Sequence, residues 1–130
     1  MNKLSKVMKV KYVLVPVVLL TVLVGCQNQD HPPVPDDLVG MWKTSAKEYS
    51  DRFFKLSKDS ISFGIGDGNT ELYVIKKIKK TYEKGLILYT LYYEDSDGDS
   101  YELSFYYDQT EGVIRLKNQK EMAWIRSDQK

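Results

Sequence analysis

The chain of 130 residues carries 19 basic and 18 acidic side chains and a single cysteine. One cysteine excludes an intrachain disulfide, and a nearly even charge balance argues against a surface for nucleic acid. The length suits one small domain with one core.

The N-terminal segment starts with basic residues and continues as an apolar run. The basic residues are Lys3, Lys6, Lys9 and Lys11. The uncharged run that follows extends from Tyr12 to Gln29, which is the charge order of a signal peptide. Its most apolar part, Val13 to Gly25, is shorter than the roughly twenty residues that a membrane-crossing helix needs, and Pro16 interrupts it. We therefore predict a signal peptide over residues 1–25 rather than a permanent transmembrane helix.

The apolar run ends in Leu23, Val24, Gly25 and Cys26. This order resembles the lipobox of bacterial lipoproteins, in which a small residue precedes the cut and a cysteine follows it. The resemblance implies that Cys26 carries a diacylglyceryl group, which holds the protein on a membrane of the cell envelope. Gln27 after the cysteine, in place of Asp, implies the outer membrane facing the periplasm in a Gram-negative cell. The alternative is an ordinary secretory signal in which the cysteine falls by chance.

A polar, proline-rich stretch follows the cysteine, from Gln27 to Asp37. This composition offers nothing to a core, so residues 26–37 are predicted to be the lipidated cysteine and an extended tether. Loss of the four signal lysines leaves 15 basic residues against 18 acidic ones, a net charge of about −3. Nucleic acid is therefore not an expected partner.

Strand-forming residues dominate the remaining stretch, residues 38–130, which holds nine of the ten tyrosines. Their runs predict strands over Val39 to Ser45, Arg52 to Leu56, Ser60 to Gly64, Thr70 to Tyr82, Leu86 to Glu94, Ser100 to Tyr107, Val113 to Lys117 and Met122 to Arg126. One helical turn is predicted over Ala46 to Asp51. Because the connections are short, neighbouring strands should be antiparallel. We predict an all-β, up-and-down antiparallel barrel of about eight strands, with a sandwich of two four-stranded sheets as the competing architecture.

Alternation along two of these strands indicates which side chains share a face. On the sixth strand these are Tyr101, Leu103, Phe105 and Tyr107. On the fourth strand they are predicted to be Leu72, Val74, Ile78 and Tyr82. Lys76 and Lys80 interrupt the fourth strand and suggest a strand end or an edge.

The two ends of the domain carry short motifs, Gly40 and Trp42 on the first strand and Trp124 and Arg126 on the last. They resemble the Gly-x-Trp motif of lipocalins and their calycin relatives, and the closing strand whose basic residue packs over that tryptophan. The resemblance implies that Trp42 plugs one end of the barrel and that Arg126 lies across its indole face, a contact of roughly 0.5–2 kcal/mol. The chain lacks the length, the C-terminal helix and the Thr-Asp-Tyr motif of typical lipocalins. It looks more like the compact lipocalin-like domains of bacterial lipoproteins.

Two loops resemble ion-binding sites. Asp95 to Glu102 has the alternate carboxylates that suit calcium, but Ser100 and Tyr106 stand where an EF-hand needs glycine and glutamate. Asp-Gly between two strands is a hairpin signal, so we interpret the segment as a turn, with a weak calcium site as the alternative. Gly64 to Asn69 lacks the Lys-Ser or Lys-Thr of a phosphate-binding loop, which favours a mobile turn at the barrel rim.

The inventory of reactive groups argues against catalysis. The only histidine, His31, lies in the predicted tether, and Cys26 would be acylated. Ser-His, Cys-His and histidine-metal sites are therefore not available to the domain. Its carboxylates fall mostly in turns or beside lysines, where they should stay solvated. We predict that the protein is not an enzyme and needs no metal or cofactor.

The leading hypothesis is that the barrel mouth binds a small apolar or amphipathic ligand. Candidate lining residues are Tyr73, Tyr82, Tyr89, Tyr92, Tyr101 and Phe105. Tyrosine suits this role because its ring is apolar and its tip is polar. The alternative is an interaction or inhibitor module whose exposed aromatics, such as Tyr93 and Tyr106, meet an envelope protein or a foreign enzyme. A cavity of about 300 Å³ or more favours the ligand, and a barrel filled by side chains favours the protein partner.

Overall fold

The computed structural model describes residues 32–127, which form a closed barrel of eight strands. The strands are β1 (Gly40–Thr44), β2 (Arg52–Leu56), β3 (Ser60–Gly66), β4 (Asn69–Glu83), β5 (Leu86–Glu94), β6 (Ser100–Asp108), β7 (Val113–Leu116) and β8 (Trp124–Arg126). Each strand pairs antiparallel with the next, and β8 pairs with β1. The predicted all-β, up-and-down barrel is confirmed, and the two-sheet sandwich is wrong. The predicted signal peptide, Cys26 and His31 lie outside the described residues.

The strand bounds follow the sequence pattern closely. Arg52–Leu56 and Leu86–Glu94 have the predicted bounds, and the other strands differ by one or two residues at one or both ends. The helical turn predicted over Ala46 to Asp51 is shorter, a 3₁₀ turn over Lys47–Tyr49. Between residues 32 and 127 no helix is long and apolar enough to cross a membrane.

Two hairpins turn through two residues each. Asp67 and Gly68 have φ angles of +55° and +75°, and Lys84 and Gly85 have +51° and +81°. Positive φ at both positions belongs to the type I′ turn, whose twist matches that of the flanking strands, and glycine adopts it without a steric cost. The glycine cluster is therefore a hairpin turn at the barrel rim.

A β-bulge in β4 changes which of its residues face the core. Ile75 pairs with Tyr93 and Lys77 pairs with Tyr92, so Lys76 is the extra residue. Before the bulge Ile75 is fully buried, whereas Leu72 is 69% exposed on the outer face. The prediction that Leu72, Val74, Ile78 and Tyr82 share one face is therefore wrong. Within the described residues, the part of β4 after Val74 pairs only with β5. The lysines of β4 lie along this edge of the strand.

Because neighbouring strands are antiparallel, the start of β1 and the end of β2 lie at the same end of the barrel. We call this the closed end, since Leu38, Trp42 and Arg126 cover it. The other end, where β2 starts and β3 ends, is called the open end. The segment before β1 reaches the closed end, where the Val34 amide donates to the Lys58 carbonyl oxygen at 2.8 Å.

The core includes two residues that precede β1. Val34 is 1% exposed and Leu38 is fully buried, and both pack in the main cluster of buried side chains. The expectation that nothing between Gln27 and Asp37 could join a core is therefore wrong. The physical reason is that one apolar side chain, Val34, is enough to fill the space at the end of a short barrel, even though prolines stand on both sides of it.

Candidate functional site

Trp42 seals the closed end of the barrel. Its indole Nε1 donates to the Leu38 carbonyl oxygen at 2.9 Å, and the ring stands edge-on to Tyr107 at 6.3 Å between centroids. The guanidinium carbon of Arg126 lies 5.5 Å from the centre of the Trp42 ring, and its Nη2 donates to the Asp37 carbonyl oxygen. The expected contact between the two side chains is therefore present, and it joins the first strand to the last.

Gly40 has a backbone reason to be glycine. Its φ is +144°, a conformation that residues with a side chain rarely adopt. The residue starts β1, directly after the segment that passes beneath Trp42. The glycine of the Gly-x-Trp motif thus allows the chain to turn from that segment into the barrel wall.

A cavity of about 340 Å³ lies at the open end. Its apolar lining consists of Phe53, Phe54, Phe63, Ile65, Tyr93, Leu103, Leu116 and Trp124. Its polar lining consists of Tyr49, Arg52, Glu71, Tyr73 and Gln119. A second depression, of about 400 Å³ beside Arg115 and Glu121, is lined mainly by polar and small side chains and lacks such an apolar wall.

A line of packed aromatic rings lies between the cavity and the closed end. Phe54 is buried, and its ring lies 5.2 Å from that of Trp124 and 6.4 Å from that of Trp42. Trp124 lines the cavity, whereas Trp42 does not. These three rings thus lie between this cavity and the closed end, and belong to the buried core of the barrel.

Of the six candidate ligand residues, the structure places two at or beside the cavity. Tyr73 lines it, and Tyr101 packs against Tyr73 at 5.5 Å between ring centroids. Tyr101 also stacks on Tyr93 at 5.6 Å, and Tyr93 lines the cavity. These rings, with Phe63, form one aromatic cluster on the wall.

The other four candidates lie elsewhere. Tyr89 and Phe105 face inward but are core residues, with ring centroids 5.7 Å apart. Tyr82 is 73% exposed beyond the β4 bulge, towards the closed end. Tyr92 points to the outer face, where the Lys77 ammonium lies 5.6 Å from its ring centre. The outward position of Tyr92 follows from strand phase, since neighbours along a strand face opposite sides and both Leu91 and Tyr93 are buried.

Two aromatic residues expected on the surface are buried, so that expectation is wrong. Tyr93 faces the cavity and is 9% exposed. Tyr106 lies on the outer face, where the Lys120 side chain covers its ring at 5.4 Å. The hairpin could have located Tyr93, because the turn after β5 pairs it with Tyr101, and paired residues face the same side.

Asp95 shapes the acidic turn between β5 and β6. One of its carboxylate oxygens accepts hydrogen bonds from the backbone amides of Asp97 at 3.0 Å and Asp99 at 2.9 Å. The other accepts from the Tyr101 hydroxyl at 3.2 Å. In residues 32–127 no three His, Cys, Asp or Glu side chains are grouped so that they could hold a metal ion. Asp95 thus serves its own turn, which agrees with the hairpin interpretation.

Tyr73 and Glu71 form the main polar contact of the cavity wall. The Tyr73 hydroxyl donates to Glu71 Oε2 at 2.7 Å. This hydrogen bond, together with burial and the carboxylate charge, raises the pKa of Tyr73 from 10.0 to about 12. The phenol therefore stays protonated and orients a neutral dipole along the wall.

We expect the Tyr73 hydroxyl to ionise near pH 12, when followed by the ¹³Cζ shift of labelled tyrosine and assigned with Tyr73→Phe. Because the folded pKa is raised, the contact stabilises the fold below about pH 10, and this contribution is lost as the pH rises through 12. Glu71→Gln removes the charge and should lower the pKa of Tyr73. Ionisation of Tyr73 near pH 10 in the native protein would contradict the contact.

Comparisons of this chain with protein-family models, with curated proteins and with solved structures give no match. The resemblance to lipocalins accordingly remains a prediction from the two terminal motifs. What the chain has is a closed, eight-stranded, up-and-down antiparallel barrel with an aromatic cavity at one end.

Proposed function

We propose that the chain is a lipid-anchored lipoprotein of the cell envelope whose lipocalin-like barrel binds a small apolar or amphipathic ligand and catalyses no reaction. The ligand-binding part of this proposal rests on the cavity of about 340 Å³ at the open end. Its volume exceeds the 300 Å³ at which ligand pockets begin, and small-molecule sites typically range over ~300–1,000 Å³. The anchor rests on the lipobox-like order that ends at Cys26.

The size of the cavity limits what apolar contact alone can achieve. A guest that loses about 200 Å² of apolar surface gains roughly 5 kcal/mol. Micromolar affinity needs about 8 kcal/mol after the cost of association has been met. Polar contacts must supply part of the difference, which supports an amphipathic guest over a purely apolar one.

The lining offers such contacts beside its rings. Arg52 and Glu71 bring one charge of each sign to the cavity, and the Tyr49 and Gln119 side chains add neutral polar groups. Phe63, Tyr73 and Tyr93 present flat faces at which a ring or an acyl segment can pack. The guest we propose therefore has one apolar body and at least one polar group.

The test uses the lipidated protein in lipid nanodiscs, with empty nanodiscs as the control for partitioning into lipid. We expect saturable fluorescence enhancement of N-phenyl-1-naphthylamine by the wild type. Leu103→Trp fills the cavity and should weaken binding at least tenfold, which is about 1.4 kcal/mol. Leu72→Trp adds the same ring on the outer face and should bind like the wild type.

Two results would count against a ligand in this cavity. One is no saturable signal beyond that of empty nanodiscs. The other is equal binding by the wild type and Leu103→Trp, which would place the dye outside the cavity. Native mass spectrometry of the protein recovered from its own cells complements the dye, because a retained guest adds its own mass.

A further inference from the structure

The second half of β4 and the turn after it carry a cluster of exposed lysines. We call Lys77, Lys79, Lys80 and Lys84 the lysine patch. Residues 77–84 hold these four lysines and one glutamate, a net charge of +3, although the predicted mature chain as a whole carries about −3. Within residues 32–127 the only ion pair joins Lys76 to Glu94 at 3.8 Å. The four lysines of the patch thus have no carboxylate partner in that part of the chain.

The lysine patch begins close to the point where the predicted tether meets the barrel. The Ile75 amide donates to the Asp59 carbonyl oxygen at 2.9 Å, and the Val34 amide donates to the carbonyl oxygen of the preceding residue, Lys58. From there β4 runs on towards the closed end, paired with β5. Only seven residues separate Cys26 from Val34, so a lipid on Cys26 would hold this part of β4 near a bilayer surface.

Charge is distributed unevenly between the two ends of this hairpin. At the open end, the turn before β4 carries Asp67, and the turn after β5 carries Asp95, Asp97 and Asp99. Neither turn has a basic residue. An anionic bilayer attracts the lysine patch and repels these aspartates, so it favours the orientation in which the tethered end faces the lipid.

An exposed aromatic ring accompanies the lysine patch. Tyr82 is 73% exposed, and the Lys80 ammonium lies 5.7 Å from its ring centre. Tyrosine is enriched where lipid head groups meet water, because its ring is apolar and its hydroxyl is polar. A water-exposed tyrosine at the tethered end of the barrel suits that interface.

We propose that the lysine patch and Tyr82 form a membrane-facing surface that binds the head groups of anionic phospholipids in the bilayer to which the chain is anchored. This inference rests on the lipid anchor of the proposed function and does not depend on its ligand. Asp108 and Glu111 lie in the neighbouring turn of the closed end, between β6 and β7. The contact therefore involves the hairpin of β4 and β5 rather than the whole closed end.

The same charges disfavour pairing of this edge with a second copy of the chain. Two β4 edges paired antiparallel would bring two sets of lysines side by side, and like charges opposite one another destabilise a sheet. Lysines on an edge strand commonly prevent such pairing. A bilayer surface offers negative charges that each lysine can approach independently.

The test measures how close the hairpin lies to the bilayer when the lipidated protein is held in nanodiscs. Because acylation blocks Cys26, an introduced cysteine is the only free thiol. Thr81→Cys then carries a bimane fluorophore on the exposed hairpin, and Ser96→Cys carries one at the open end. The nanodiscs contain phosphatidylcholine alone or with about one third phosphatidylglycerol, and both include a lipid whose head group bears a quenching nitroxide.

We expect the label at position 81 to be quenched at least twice as strongly in the anionic nanodiscs as in the neutral ones. Raising the salt from about 0.1 M to 1 M shortens the Debye length from ~10 Å to ~3 Å and should remove the difference. The label at position 96 should respond to neither change.

Two double variants with the same change in net charge locate the effect. Lys79→Gln with Lys84→Asn removes half of the lysine patch and should reduce the extra quenching by half or more. Asparagine suits the φ of +51° at residue 84, so the turn is kept. Lys47→Gln with Lys117→Gln removes two exposed lysines at the open end and should be quenched like the wild type. Thermal unfolding followed by circular dichroism checks that both variants fold.

The outcomes separate this surface from the rest of the proposed function. Equal quenching at position 81 in both kinds of nanodisc would contradict it and leave the lysine patch to an acidic protein partner. Equal loss of quenching in both double variants would also contradict it, because net charge alone would then attract the protein. An unmodified Cys26 thiol in the intact mass would overturn the anchor and this inference together. A dye that fails to bind concerns the ligand alone.

Discussion

Trp42→Ala is expected to lower the free energy of unfolding by about 3–5 kcal/mol, as large-to-small changes of buried aromatics do. Trp42 is 1% exposed, stacks on Phe54 and lies under the Arg126 guanidinium. Its loss opens a void at the closed end and removes the contact between the first and last strands. For a domain whose total stability is of the order of 5–15 kcal/mol, this is a large fraction. Urea denaturation followed by circular dichroism measures it.

Two matched variants separate the contribution of the aromatic ring at position 42 to stability from the effect of trimming a side chain elsewhere in the barrel. Trp42→Phe keeps an aromatic side chain but loses the donor to Leu38, so its cost should be clearly smaller than that of alanine. Leu72→Ala trims a side chain that is mostly exposed and should change stability by about 0.5 kcal/mol or less. If Trp42→Ala cost no more than Leu72→Ala, the seal described for the closed end would be incorrect.

Cys26→Ser is expected to abolish incorporation of fatty acid into the protein. In the proposed lipid anchor, the Cys26 thiol would be the nucleophile that takes up the diacylglyceryl group, and a serine hydroxyl would not replace it. Attached acyl chains contribute about 0.8 kcal/mol per buried methylene, so two or three chains hold a protein stably on a bilayer. Metabolic labelling with an alkyne fatty acid, followed by the intact mass of the purified protein, measures the change.

The control for this prediction is Asn28→Ser, a similar change two residues outside the lipobox-like order. It should incorporate fatty acid like the wild type. Fractionation alone does not decide the question, because an uncut signal peptide would also keep the variant on the membrane. A wild-type protein with an unmodified Cys26 thiol, or equal labelling of both variants, would remove the lipid anchor from the proposal.

Much of the barrel could be predicted because its signals are local. A two-residue turn with glycine second, as at Lys84 and Gly85, sets the register of the hairpin around it. The alternation of Tyr101 to Tyr107 then assigns one face of β6 to the core, and the structure has this face inward. The β4 bulge left no such signal. Apolar residues occur at both even and odd positions around Lys76. The sequence was therefore compatible with one unbroken alternation along the strand, which needs no extra residue.

The cavity was harder to predict than the wall that carries it. Tyr92 and Tyr93 are equally good candidates by residue type, and only the pairing of Tyr93 with Tyr101 separates them. Trp124 became a cavity residue because β8 closes on β1 and brings the indole over Phe54. That contact depends on the closure of the whole barrel, so no local pattern near Trp124 could indicate it.

The docking of Val34 at the closed end determines at which end an anchored barrel would be tethered. Residues 27–34 can span at most roughly 26–29 Å when fully extended. With lipid on Cys26, the sealed base would be tied close to the bilayer and the aperture would be directed into the aqueous compartment. A guest would then arrive by diffusion through water rather than by lateral transfer from the same leaflet. Such a route selects for molecules with appreciable aqueous solubility.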